Sequence, residues 1–152
     1  MQHSPANLAS FRAAQVYGEH FFITGAQETV RAVLERMRDE ACPIAVLTES
    51  DAIVGVIEGQ TVLANVLGQP AKWTEPAVSV SVHAPILSAV SSAVGLSKLL
   101  ADHAVVIAVD SENKPIKVVT RASWMRFLNV SLNTAVFQPS PHLEPATQPV
   151  AK

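Results

Sequence analysis

Two stretches of this chain hold the residues best suited to chemistry. In "KPIKVVTRASWMRFL", Lys114 to Leu128, a hydrophobic run stops at Thr120-Arg121 and passes at once into helical spacing. A helix that begins directly behind a buried strand leaves its first backbone N–H groups unbonded and gathers partial positive charge there, so its start attracts anions. Thr120 can cap those donors or offer its hydroxyl to a phosphate, and Arg121 adds a charge-assisted donor beside it. For an isolated Thr-Arg pair, a plain cap with a solvated guanidinium is the commoner outcome. "AIVGVIEGQTVLANV" makes the same passage earlier, with Glu58 standing where the later stretch has Thr120, and Thr61 where it has Ser123. A carboxylate facing a phosphate repels it unless a cation intervenes, so this first junction reads as degenerate for an anion.

No other pattern supplies a reaction. Cys42 is the only cysteine, which leaves no internal disulfide or thiolate zinc cluster and fits a reducing compartment. Beside Pro43, before a buried strand, it reads as packing and not as a nucleophile. His20, His83 and His103 lack metal-ligand spacing, and His3 and His142 fall near the ends. There is no nucleophile elbow, phosphate loop or paired-carboxylate motif. The sequence therefore predicts no catalytic residue, no metal site and no enzyme.

Composition narrows the class further. With 49% hydrophobic residues in 152, the chain can bury a sizeable core as one domain or as two small units sharing one. A net charge of -2 with scattered Lys and Arg gives no basic footprint for nucleic acid. No apolar stretch approaches the roughly 20 residues of a membrane helix, and "MQHSPANLASF" lacks a leader pattern, so the default location is the cytoplasm.

The elements that must position Thr120 emerge when the sequence is slid along itself. At an offset of 62 residues, "VLERMRDEACPIAVLTESDAIVGVIEGQTVLANV" falls without a gap on "GLSKLLADHAVVIAVDSENKPIKVVTRASWMRFL". Leu34 meets Leu96, Glu40 meets Asp102, Val56 meets Val118 and Thr61 meets Ser123. Each copy reads as strand, helix, strand, strand, helix. In the first, "FFIT" (21–24) is a strand, and Val30, Val33, Leu34 and Met37 mark a helix capped by Thr24 or, more weakly, Gln27. "IAVLT" (44–48) and "AIVGVI" (52–57) form a tight antiparallel pair, and a helix from Gln60 to Leu67 closes the copy. In the second, the alternation of "VSVSV" (78–82) predicts a strand, and Pro85 opens a helical stretch over 86–102 interrupted at Gly95. "VVIAV" (105–109) and "PIKVV" (115–119) follow as strands, then a helix from Arg121 to Asn129. The segment 1–19 is predicted helical, with Leu8, Phe11, Ala14 and Gln15 on one face. Copy 1 thus spans 20–68, a linker 69–77, copy 2 78–130, and a Pro-rich extended or disordered tail 131–152.

This tandem unit, with its hydroxyl-bearing strand-to-helix junctions, resembles the paired CBS domain, or Bateman module, over roughly residues 20–129. The resemblance implies an α/β (α+β) fold in which two CBS-type repeats pack through their sheets about a pseudo-twofold axis. Nucleotide-binding members carry Gly-apolar-apolar-Thr/Ser-x-x-Asp at the junction; here "GVIEGQT" and "KVVTRAS" stand there, and neither ends in Asp. An Asp would grip two ribose hydroxyls, and its loss forfeits about 1.5–3 kcal/mol, roughly one to two decades of affinity.

Taken over residue by residue, the resemblance places ligand contacts at Thr120, Arg121, Ser123, Thr24, Pro43 and Ile44. It implies no required cofactor, and as ligand an adenosine-containing molecule: AMP, ADP, ATP or S-adenosylmethionine. The function implied is a regulatory or sensor module acting on a protein partner, the alternative being a scaffold with no ligand. Trp124, Met125, Phe127 and Leu128 give the last helix more apolar surface than a short helix hides. They serve either as core against the other repeat or as the face of a homodimer, which the resemblance favours.

Overall fold

The computed structural model describes residues 8–137. Ten regular elements alternate along it: β1 (Phe21–Gly25), α1 (Val30–Asp39), β2 (Ile44–Glu49), β3 (Ala52–Glu58), α2 (Gly59–Val66), β4 (Ile86–Ser88), α3 (Ala93–Asp102), β5 (Val105–Val109), β6 (Pro115–Thr120) and α4 (Arg121–Phe137). They make two sheets of identical plan. β1 runs parallel to β2 and β2 antiparallel to β3; β4, β5 and β6 repeat the arrangement.

Strand composition explains how the sheets meet. β5 and the first four residues of β2 read as unbroken apolar runs because both of their faces are covered. Alternate residues point to opposite sides. Ala45, Leu47 and Ile57 turn toward α1 and α2, while Val106, Ala108 and Val119 turn toward α3 and α4. The other set, Ile44, Val46 and Val56 from one sheet with Val105, Ile107, Val109 and Val118 from the other, forms a single cluster between the sheets. The order is helices, sheet, sheet, helices, and neither repeat could shield its inner face alone.

The hairpins are built from the residues their geometry needs. Ser50 and Asp51, at φ 52° and 67°, both enter the left-handed region and join β2 to β3 in two residues. In the second copy Asp110 accepts from the N–H groups of Glu112 and Lys114 at 2.8 and 2.9 Å, and Asn113 takes the positive φ.

The structure departs from the sequence reading at the segments that precede each repeat. "VSVSV" is no strand: Ala77–Val80 is a 3-10 turn, and only Val82 pairs, with Val56 of the first sheet. The second repeat's first strand is Ile86–Ser88, so Pro85 precedes a strand, and α3 starts at Ala93 behind a Ser92 cap. Gly95 lies within α3 without breaking it. Residues 1–7 of the predicted N-terminal helix lie outside the described residues, and the rest is instead two 3-10 turns, Leu8–Ser10 and Ala13–Gln15, followed by extended chain.

The cause is shared, because both segments cross to the opposite repeat and give their backbone groups to it. The N–H of Glu19 bonds to the carbonyl of Val118 at 2.8 Å, and Ala93 N–H to the carbonyl of Phe11 at 2.9 Å. Reciprocally, Val56 and Val82 exchange two bonds of 2.9 Å, and Val30 N–H bonds to Glu75 O at 2.9 Å. Val56 and Val118 are the same position in the two copies. A helix in either segment would spend those groups internally. α4 runs past Asn129 to Phe137, so residues 131–137, expected in the extended or disordered tail, are helical; the rest of that tail, 138–152, lies outside the described residues. Among the described residues no helix is long and apolar enough to cross a membrane.

Candidate functional site

The β6–α4 junction folds as its residues require. Thr120 ends the strand, and its Oγ1 accepts from the N–H of Ser123 at 3.1 Å. Ser123 returns the favour: its Oγ accepts from Thr120 N–H at 2.9 Å and donates to Thr120 O at 3.1 Å. This is a reciprocal cap with serine in the place usually held by Glu or Gln. Both residues are buried. The Ser123 hydroxyl is thus consumed within the junction and is not presented to a ligand.

Thr120 also donates its own hydroxyl, to Glu19 Oε2 at 2.8 Å. That carboxylate receives Arg126 as well, at 3.4 Å. Thr120→Val keeps the shape but removes both bonds, and it should destabilise the protein by about 1–2 kcal/mol, the usual size of a lost cap. Urea denaturation of the variant measures this; an unchanged midpoint would mean that the cap carries no weight.

Arg121 is exposed but tethered at one nitrogen. Its Nε donates to the carbonyl of Leu100, in the last turn of α3, at 2.9 Å. At the first junction Glu58 occupies the equivalent position without capping the helix; the Thr61 hydroxyl donates to its carboxylate in a short bond.

These groups meet. A cleft of about 280 Å³ is lined by Pro43, Ile44 and Glu58 from the first repeat, by Ala104, Thr120, Arg121 and Ala122 from the second, and by Glu19. Of the sequence-predicted contacts, Thr120, Arg121, Pro43 and Ile44 come together there. Thr24 does not line it. It sits in β1, where its carbonyl accepts from Thr48 Oγ1 at 3.5 Å, and it does not cap α1. Because β1 continues through Gly25, the helix starts later and Thr29 caps it, accepting from Ala32 N–H at 3.1 Å. Glu19 was invisible to motif reading, since it lies outside the junction and reaches it only through the chain crossing.

A larger groove, about 1200 Å³, adjoins the cleft and shares Pro43 and Glu58 with it. Leu34, Met37, Leu63 and Trp73 give it an apolar floor between α1, α2 and the 3-10 turn Pro70–Thr74. Cys42 also lines it. Burial raises that thiol's pKa, with the Glu40 charge adding to the effect, which suits packing and not nucleophilic chemistry.

The aromatic residues of α4 are spent inside the molecule. Trp124 and Phe127 are buried, and Phe127 meets Phe11 and Tyr17 edge-on at 5.2 and 5.4 Å. Leu128 packs partly buried on the same cluster. Of the four residues expected to form an assembly face, only Met125 is well exposed, at 51%. The reason is the N-terminal segment, which covers the aromatic side of α4.

Comparison with solved structures decides the architecture. A CBS domain protein from Pyrobaculum aerophilum complexed with AMP superposes with a TM-score of 0.67 at 15% identity, over 83% of this chain and 99% of that one. The chain has the tandem CBS-domain fold. A CBS domain-containing protein of unknown function from Bacillus anthracis matches the pair at a TM-score of 0.64 and 14% identity, covering 84% of this chain and 99% of that one. A CBS domain protein of unknown function from Thermoplasma acidophilum gives 0.60 and 17%, over 82% and 77% of the respective chains. No family model matches the sequence, and no curated protein matches it.

Proposed function

We propose that this CBS pair is a regulatory sensor module without catalytic activity, which binds an adenosine-containing ligand in the cleft between its repeats. The observation that carries the reading is the convergence of both strand-to-helix junctions on one cleft, in a fold shared with a protein complexed with AMP. Because the cleft draws its walls from both repeats, a ligand that binds one arrangement of them better than another shifts their relation, and a protein partner reads the shift. The small side chains of Ala104 and Ala122 line the cleft beside Thr120. Thermal denaturation with adenosine, AMP, ADP, ATP and S-adenosylmethionine tests the idea. At about 100 times its dissociation constant a true ligand adds about 2.7 kcal/mol, roughly 5–10 °C for a domain of this size. A melting curve unmoved by every compound would end the nucleotide reading.

A second reading, assembly as a homodimer, is favoured by one observation. Leu63 on α2 and Met125 on α4, equivalent positions of the two copies, are 41% and 51% exposed, and Leu67 and Val130 extend the apolar surface. On this reading Met125→Glu halves the mass found by light scattering. An unchanged mass counts against it.

A further inference from the structure

We infer that Glu19 sets the charge of the ligand this cleft accepts: an adenosine-bearing molecule that is neutral or cationic where a nucleotide would carry its phosphate. The inference rests on the proposed adenosine-binding role of the cleft and narrows it.

The corner that an anion would occupy is the start of α4, and a carboxylate of the chain already stands there. Glu19 is fixed by its backbone bond to Val118 O at 2.8 Å and by its side-chain bond from Thr120 Oγ1 at 2.8 Å. Its side chain is only 21% exposed. Gly18, just before it, lies so close to β6 that an added Cβ would stand 2.8 Å from both Val118 O and Lys117 Cγ, so the segment cannot shift toward the sheet. Arg126 neutralises Glu19 in part from the outside, at 3.4 Å, but it does not line the cleft.

The rest of the lining offers a phosphate a single cation. Arg121 is the only basic residue among it, and its Nε is tethered to Leu100 O at 2.9 Å. Glu58 also lines the cleft, with its carboxylate accepting from the Thr61 hydroxyl. A phosphate entering here would lose the Thr120 hydroxyl to a competitor and would meet like charge at short range. A sulfonium or a plain hydroxymethyl group meets neither obstacle. A sulfonium gains from the Glu19 carboxylate.

Isothermal titration of the wild-type protein and of Glu19→Gln with adenosine, S-adenosylmethionine and AMP tests the assignment. Glutamine keeps a carbonyl oxygen for Thr120 and removes only the charge. The wild type should bind adenosine and S-adenosylmethionine at least about tenfold more tightly than AMP. In Glu19→Gln, AMP should gain about tenfold and S-adenosylmethionine should weaken, while adenosine stays within about twofold. Equal AMP affinity in the two proteins overturns the role of Glu19 and leaves the adenosine cleft standing. If the variant fails to fold, the wild type still decides, because tighter binding of AMP than of adenosine contradicts the inference. Absence of binding by all three compounds to either protein overturns the adenosine cleft itself, and the charge assignment falls with it.

Discussion

Ile107→Ala should lower the stability of the protein by about 2–5 kcal/mol, the range for emptying a large aliphatic site in a packed core. Ile107 is fully buried and lies at the middle of β5, paired with Ile86 on one side and Val118 on the other. Its side chain belongs to the cluster between the sheets, with Ile44, Val46 and Val56 of the other repeat. The substitution therefore strips contacts from both halves at once. Against a total stability of about 5–15 kcal/mol, that loss is a large share. Because the two repeats share this layer, urea should still unfold the variant in one transition, displaced to lower concentration. A loss below about 1 kcal/mol, or two separate transitions in the wild type, would mean that the repeats do not depend on each other.

Phe127→Ala carries the second large effect, about 3–5 kcal/mol. Phe127 faces Phe11 at 90° and Tyr17 at 80°, with Trp124 6.0 Å away. Such edge-to-face pairs add about 0.5–1.5 kcal/mol to the burial itself, so a cycle with Phe11→Ala should return a coupling of that size. The consequence reaches the cleft, since the same N-terminal segment delivers Glu19 to Thr120. Loosening Phe127 should speed proteolysis of the segment. If Phe127 instead lay on an assembly face, alanine would change the oligomer and leave the stability of the single chain nearly intact.

These two sites also show where sequence reasoning succeeds. The offset of 62 residues, the apolar runs of β2 and β5 and the junction residues made the duplicated architecture legible, because strand periodicity and helix starts are local properties. The crossings were not legible. "VSVSV" alternates as a strand should, yet its partners lie in the other repeat, where Val78 N–H bonds to Ala26 O and Val82 makes a bridge to Val56. Residues 8–19 have helical spacing, but backbone bonds to Val118, Ala89 and Ser91 outbid an internal helix. Both errors arise from long-range pairing, which overrides local preference. At the site, Thr120 and Arg121 were found by their types, whereas the direction of Arg121 and the presence of Glu19 depend on contacts between distant segments. Trp124 and Phe127 look like surplus apolar surface for the same reason: the chain that meets them, around Phe11 and Tyr17, lies far away in the sequence.

The most direct measurement is a titration of the isotopically labelled protein with adenosine, followed residue by residue through its amide resonances. Adenosine carries no charge, so the outcome does not depend on Glu19. Binding between the repeats predicts that the amides of Glu19, Ile44, Glu58, Ala104 and Thr120 to Ala122 move together and saturate with one affinity. Shifts confined to the outer groove, around Leu34, Leu63 and Trp73, or no shifts at all, would contradict it.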